Sequence, residues 1–208
     1  EIDELMVQPY ISIVIPTLNE EENIHKVIKG VQEVLSDRTH EIIVVDGYSK
    51  DKTVKIAKSM GATILYDNIG KGSALIKGLH AANGKILISM DADLSNKPLE
   101  LLLLVAGIEA GYDICMGSRF LMGGGSDDMP FVRRLGNSFF VFLVNLLYKA
   151  RYTDLCYGYR SFSSQAIKRL ALSEKGFGIE TEISIKARKA NLKILEVPSY
   201  EKKRAVGV

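Results

Sequence analysis

Lys85-Ile86-Leu87-Ile88-Ser89-Met90-Asp91-Ala92-Asp93 reads as an apolar run of strand length that ends on two carboxylates one residue apart. A strand that is apolar almost throughout is buried on both faces, the habit of parallel sheets covered by helices. The same alternation repeats on either side of it. Upstream, Ile11 to Ile15 is a strand closed by Pro16, and Ile24, Val27, Ile28, Val31, Val34 and Leu35 then recur at helical spacing. Glu20, Glu21 and Glu22 suit the positive end of that helix, placing its start at Glu20. A strand over 42–45 ending at Asp46, a helix over 51–60 closed by Gly61, a strand over 63–66 and a helix over 71–82 follow. Downstream come a helix over 98–110 and a strand over 113–117. This pattern predicts an α/β fold: a Rossmann-like, doubly wound, mainly parallel sheet with helices on both faces.

The second half is less regular. Gly123-Gly124-Gly125-Ser126-Asp127-Asp128 reads as a loop, 131–148 as a long apolar helix, Tyr157-Gly158-Tyr159-Arg160 as a turn-rich stretch, 180–190 as a helix and 194–197 as a strand. With 208 residues, one domain is expected. The formal net charge of +2 argues against a strongly cationic nucleic-acid binder, yet residues 1–104 are net −4 and 105–208 net +6. Eight of the nine arginines lie in that second half. Cys115 and Cys156 have neither zinc-ligand spacing nor a disulfide framework, which suits a reducing, cytoplasmic compartment. The three histidines, His25, His40 and His80, are scattered and give a histidine metal site or a Ser-His-Asp triad little support. No run reaches the roughly 20 apolar residues of a membrane span. The acidic start over 1–8 is unlike a secretory signal, and the abrupt end at Val208 suggests a truncated C-terminus.

In open α/β sheets ligands gather at the carboxyl ends of the strands. Asn19, Glu20, Asp46, Asp91, Asp93 and Arg119 all follow strand ends. The dinucleotide fingerprint is missing after the first strand, which gives Pro16-Thr17-Leu18-Asn19-Glu20, and Gly70-Lys71-Gly72 lacks the Ser or Thr of a P-loop. Asp91-Ala92-Asp93 remains: two carboxylates that can face one hard cation and, through it, a substrate diphosphate.

Five ordered motifs resemble those of the family-2 glycosyltransferases of the GT-A fold, nearest to the dolichyl-phosphate (polyprenyl-phosphate) mannose or glucose synthases. They are Ile13-Val14-Ile15-Pro16-Thr17-Leu18-Asn19-Glu20, the run from Val44 to Thr53, Gly70-Lys71-Gly72-Ser73-Ala74, Asp91-Ala92-Asp93 and Gly117-Ser118-Arg119-Phe120. The resemblance implies that Pro16, Leu18, Glu20, Val45 and Asp46 line a base and ribose pocket. It implies that Asp91 and Asp93 hold Mg²⁺ or Mn²⁺ with the Ala92 backbone alongside, that Arg204 meets the donor diphosphate, and that Arg119 and Arg133 meet an acceptor phosphate. Glu182 is the implied catalytic carboxylate, with Glu180 a competing choice. The nucleotide-sugar part then covers about 10–120, and the less regular acceptor part about 121–208. Gly47 and Ser95 depart from the family pattern and leave the nucleotide and sugar open.

The implied reaction is inverting transfer of a hexose from a GDP- or UDP-sugar to a polyprenyl phosphate at the cytoplasmic face of a membrane. A hydroxyl acceptor in glycan assembly, a nucleotidyltransferase and a non-catalytic nucleotide-sugar-binding domain are the alternatives. The run from Phe139 to Tyr148, apolar nearly all round and flanked by Arg133, Arg134, Lys149 and Arg151, suits peripheral contact with a membrane interface; a buried core or dimer helix has the same composition.

Overall fold

A computed structural model describes residues 8–204; the acidic start and the Val208 end fall outside the described residues. Its elements are β1 (Ile11–Thr17), α1 (Ile24–Val34), β2 (His40–Asp46), α2 (Thr53–Ser59), β3 (Thr63–Tyr66), α3 (Lys71–Ala81), β4 (Ile86–Ser89), α4 (Leu101–Glu109), β5 (Ile114–Ser118), β6 (Gly125–Ser126), α5 (Phe131–Tyr148), β7 (Arg160–Ser163), α6 (Ser164–Leu170), α7 (Ile179–Lys189), β8 (Ile194–Pro198) and β9 (Tyr200–Glu201). Seven strands form one sheet in the order β3-β2-β1-β4-β7-β5-β8, and β6 pairs with β9. All seven run parallel except β7, which is antiparallel to both β4 and β5.

Two apolar layers show why the chain winds on both faces. One sets Ile13 and Ile15 of β1 against Ile24, Val27, Ile28 and Val31 of α1 and Leu101, Leu104 and Val105 of α4. The other sets Val14, Ile43 and Val45 against Leu75 and Leu79 of α3, Ile167 of α6 and Ile183 of α7. Neighbouring residues of β1 thus face opposite layers, and both sides are dry.

Two expectations change, and one of the alternatives open for the 131–148 helix closes. The stretch Tyr157 to Arg160 does not end in a turn: Arg160 opens β7, the interior strand that joins the two parts of the sheet. Arg160-Ser161-Phe162-Ser163 has one large apolar residue, so its strand character comes from two partners and not from its own pattern. The first helix starts at Ile24, not Glu20; Asn23 and Ile24 donate to the Glu20 carbonyl in a preceding turn, and α1 has no acidic residue in its first turn. The helix over 131–148 is not a core helix: Asn137 and Val144 are its only buried residues. Phe131, Val132, Leu135, Phe139, Phe140, Phe142, Leu146 and Leu147 are exposed. Among the described residues no helix is long and apolar enough to cross a membrane.

Candidate active site

The loops after β1 and β2 hold each other. Asn19, at a left-handed φ of 54°, donates its N–H to Ser49 Oγ at 2.8 Å, and its Oδ1 accepts from the Lys50 N–H at 2.9 Å. Asp46 is fully buried, and its carboxylate accepts from the N–H and hydroxyl of Ser49. Asp46 therefore shapes the loop from behind, and Val45 is buried in the layer beneath. Of the residues expected to line this pocket, Leu18 is exposed, and Pro16 and Glu20 are half-buried. Burial pushes the Glu20 carboxyl above its ordinary range; the Asn23 amide opposes this, and the charges of Asp93, Asp51 and Asp91 add to it.

Beyond β4 the chain turns sharply, with Leu94 at φ 64°. Asn96 fixes the turn: its Oδ1 accepts from the Asp91 N–H at 2.8 Å, and its Nδ2 donates to the Tyr157 hydroxyl at 3.0 Å. Asp93 Oδ1 accepts from the Ser95 N–H at 3.0 Å, and Ala92 is buried between the two carboxylates. Lys71 Nζ lies 2.9 Å from Asp91 Oδ1 and 3.2 Å from Glu180 Oε1. Burial opposes the charge on Lys71, but the two carboxylates win and raise its pKa well above the ordinary lysine value. Arg204 Nε lies 3.3 Å from Asp93 Oδ2 and 3.6 Å from Asp128 Oδ2.

The described residues contain no group of three or more His, Cys, Asp or Glu side chains able to hold a metal. Two carboxylates one residue apart fit a hard cation whose remaining oxygens come from substrate and water; they do not fit a closed structural metal site.

The structure rearranges the acceptor-side expectations. Glu182 is outside this cluster. Its carboxylate accepts from the N–H groups of Ser173 and Glu174 and pairs with Lys186 Nζ at 2.8 Å. Partial burial opposes ionisation, but Lys186 and those N–H groups hold it down at about 2. Glu180, its competitor, is the one beside Lys71 and Asp91. Arg119 is buried, gripping Asp154 through Nε at 2.7 Å and Nη2 at 3.0 Å, and Glu201 through Nη1 at 3.1 Å. Its guanidinium is thus tied to two carboxylates on the wall of a 450 Å³ cavity that Phe120, Gly124, Ser126, Arg134 and Tyr200 also line. Arg133 is exposed and reaches only the Asp128 carbonyl, at 3.4 Å; its neighbour Arg134 lines the cavity.

Lys71, Arg134, Asp154, Glu201 and Tyr157 are the site residues that the sequence reading lacks. Only Lys71 carried a local signal, its two flanking glycines.

The sequence matches the family described as Glycosyl transferase family 2 over residues 12–171. It is 32% identical over 196 residues to a dolichol-phosphate mannosyltransferase of Pyrococcus furiosus, covering 90% of this chain and 55% of that protein. It is 28% identical over 214 residues to a polyprenol monophosphomannose synthase of Mycolicibacterium smegmatis, covering 94% of this chain and 78% of that one. Among solved structures, glucosyl-3-phosphoglycerate synthase from Mycobacterium tuberculosis superposes with a TM-score of 0.75 at 24% identity, covering 96% of this chain and 72% of that one, a likeness of fold.

Proposed function

The chain belongs to glycosyl transferase family 2, and from that premise we propose that it is a metal-dependent, inverting hexosyltransferase moving a hexose from a GDP- or UDP-sugar onto a polyprenyl phosphate. The observation that carries this reading is the Asp91 and Asp93 pair at the end of β4, with Arg204 against one carboxylate and Lys71 against the other. The nucleotidyltransferase reading falls away with the family membership.

Leu18, Pro16 and Glu20 would meet the base and ribose, with Val45 and Asp46 forming the wall behind them. Asp91 and Asp93 would hold Mg²⁺ or Mn²⁺, with the Ala92 backbone alongside, and Arg204, now against Asp93, would offer its guanidinium to a diphosphate oxygen. Bound there, the cation would neutralise charge building on the leaving diphosphate. Structures of the Mycobacterium tuberculosis synthase hold UDP with Mn²⁺ or with Mg²⁺. Arg134 would attract the acceptor phosphate into the cavity whose wall Arg119 keeps rigid. A lipid phosphate is already anionic, so its attack on the anomeric carbon needs no proton removed.

The names of the curated relatives support the lipid acceptor, and α5 supports it on physical grounds. Its N-terminal end supplies Arg134 to the cavity, and its outer face carries eight exposed large apolar side chains. That face would lie on a cytoplasmic membrane surface and receive the polyprenyl chain, with Arg133, Arg134, Lys149 and Arg151 near anionic headgroups. One observation favours a hydroxyl acceptor instead: Glu180, which shares Lys71 with Asp91, is the carboxylate that would serve such an acceptor as general base.

Calorimetry with GDP- and UDP-sugars and Mn²⁺, on wild type and Asp93→Ala, tests the donor site. Wild type should bind one nucleotide only with metal, and the variant at least about 100-fold more weakly, the loss of one of two charged ligands. No metal-dependent binding by wild type ends the reading. Turnover on a short polyprenyl phosphate that survives Glu180→Gln supports the lipid acceptor; turnover confined to a hydroxyl acceptor and lost in that variant supports the second reading.

A further inference from the structure

Both carboxylates at the end of β4 already have a cation, and the two cations are held very differently. Arg204 is half exposed and divides itself between Asp93 and Asp128. Lys71 is fixed in place. It opens α3 between Gly70 and Gly72, and a Cβ on either glycine would stand 2.4 Å from a carbonyl oxygen, of Lys175 or of Glu174. The absent side chains let the 174–176 loop press against the start of the helix, where the Ser73 N–H donates to the Lys175 carbonyl at 3.1 Å. The ammonium reaches Asp91 Oδ1 and Glu180 Oε1 together. Gly158 faces all three groups, and its missing side chain leaves room there: a Cβ would lie 3.2 Å from Glu180 Oε1, 3.5 Å from Lys71 Nζ and 3.6 Å from Asp91 Oδ2.

A hard divalent cation seeks the oxygens that Lys71 now holds. We infer that Lys71 is a resident counter-cation, a positioning residue that satisfies Asp91 and Glu180 in the empty enzyme and so makes metal uptake conditional on the diphosphate. A free cation entering alone meets Lys71 and Arg204 at both carboxylates and finds no complete oxygen set. A cation carried in by a nucleoside diphosphate brings its own phosphate oxygens and enough negative charge to draw both side chains towards itself. Metal and donor then bind as one unit, and Glu180 feels the loading of Asp91 through a shared lysine. The inference rests on the metal-nucleotide reading above.

Mn²⁺ binding, read by the electron paramagnetic signal of free Mn²⁺ with and without UDP or GDP, tests it without turnover. Wild type should take up Mn²⁺ at least 100-fold more tightly with a nucleoside diphosphate than alone. Lys71→Met should bind Mn²⁺ alone at least tenfold more tightly than wild type, because two adjacent carboxylates lose their cation, while Lys71→Arg should stay as weak as wild type. Folded Lys71→Met with unchanged affinity for Mn²⁺ alone overturns the inference, as does tight uptake of Mn²⁺ alone by wild type, a result that holds even if the variant does not fold. Absence of any Mn²⁺-dependent nucleotide binding overturns both the inference and the functional reading, whereas tight uptake of Mn²⁺ alone with normal nucleotide binding overturns the inference only.

Discussion

On the donor side of the cleft, carboxylates take most of their hydrogen bonds from close neighbours: Asp46 from Ser49, Asp93 from Ser95 and Asp51 from Thr53, two or three residues away, with Lys71 and Arg204 as the distant partners of Asp91 and Asp93. On the acceptor side, charged groups find partners across the chain: Arg119 reaches Asp154 and Glu201, 35 and 82 residues on. Donor loops can therefore take shape once their flanking strands form, and the acceptor wall exists only when the whole sheet has closed. Damage should follow the same division, local on one side and global on the other.

The largest effect is expected at Asp154. Replacing it with Ala leaves the buried Arg119 guanidinium with Glu201 alone, and breaking a buried pair from one side costs about 3–5 kcal/mol. Urea unfolding should show the midpoint falling by a large fraction, with the double change Arg119→Met, Asp154→Leu recovering much of it. A small loss for Asp154→Ala would show that the acceptor wall is as locally built as the donor loops. Asp46→Ala should act on a smaller scale. Losing two hydrogen bonds costs roughly 1–3 kcal/mol, and donor KM should rise with little change in how cooperatively the protein unfolds. If unfolding became multiphasic, the donor loop would not be local.

Glu182 sharpens the comparison from between the two, because its partners lie eight and nine residues back and four residues ahead. Its carboxyl is depressed from 4.5 to about 2 in the folded protein. A depressed carboxylate contributes stability that is present above the unfolded value and lost as pH falls through the folded one, so the loss runs between about pH 4.5 and 2. Glu182→Gln should lower stability near neutrality by about 1–2 kcal/mol, discounted for solvent screening. It should also flatten the acid limb of Tm against pH in that window while leaving donor binding intact. An unaltered acid limb would mean that Glu182 does not hold the 173–174 turn.

The same division explains what the sequence discloses. β1, β2 and β4 announce themselves because strands buried on both faces are apolar throughout, and the Asp91-Ala92-Asp93 turn follows one of them directly. The α5 boundaries are legible from its composition, but not its facing: an all-round apolar helix reads alike whether it meets core or solvent. Glu180 and Glu182 differ by two helical positions, about 200° of rotation, so one of them at most faces Lys71. Which one depends on the phase set by Ile179, Ile183 and Ala187 against the core, and that phase is a tertiary property. Arg119 keeps its strand-end position, yet nothing near it in sequence names Asp154 as its partner. Arg133 and Arg134 are adjacent and chemically equal, and only the rotation of α5 puts the second on the cavity.

The antiparallel strand β7 has a consequence for the order in which the molecule can be made. It is the seam between the β3-β2-β1-β4 block and the β5-β8 pair, and its first residue is Arg160. A chain leaving the ribosome must wait for residues 160–163 before β4 gains its second neighbour, and until then β4 and β5 present unpaired edges, the sites at which nascent chains aggregate. Synthesis halted before Arg160 would yield the four-stranded β3-β2-β1-β4 piece and a β5 with no partner, since β8 comes later still, so successful folding of the nascent protein hinges on four residues that arrive only after five strands of the sheet have emerged.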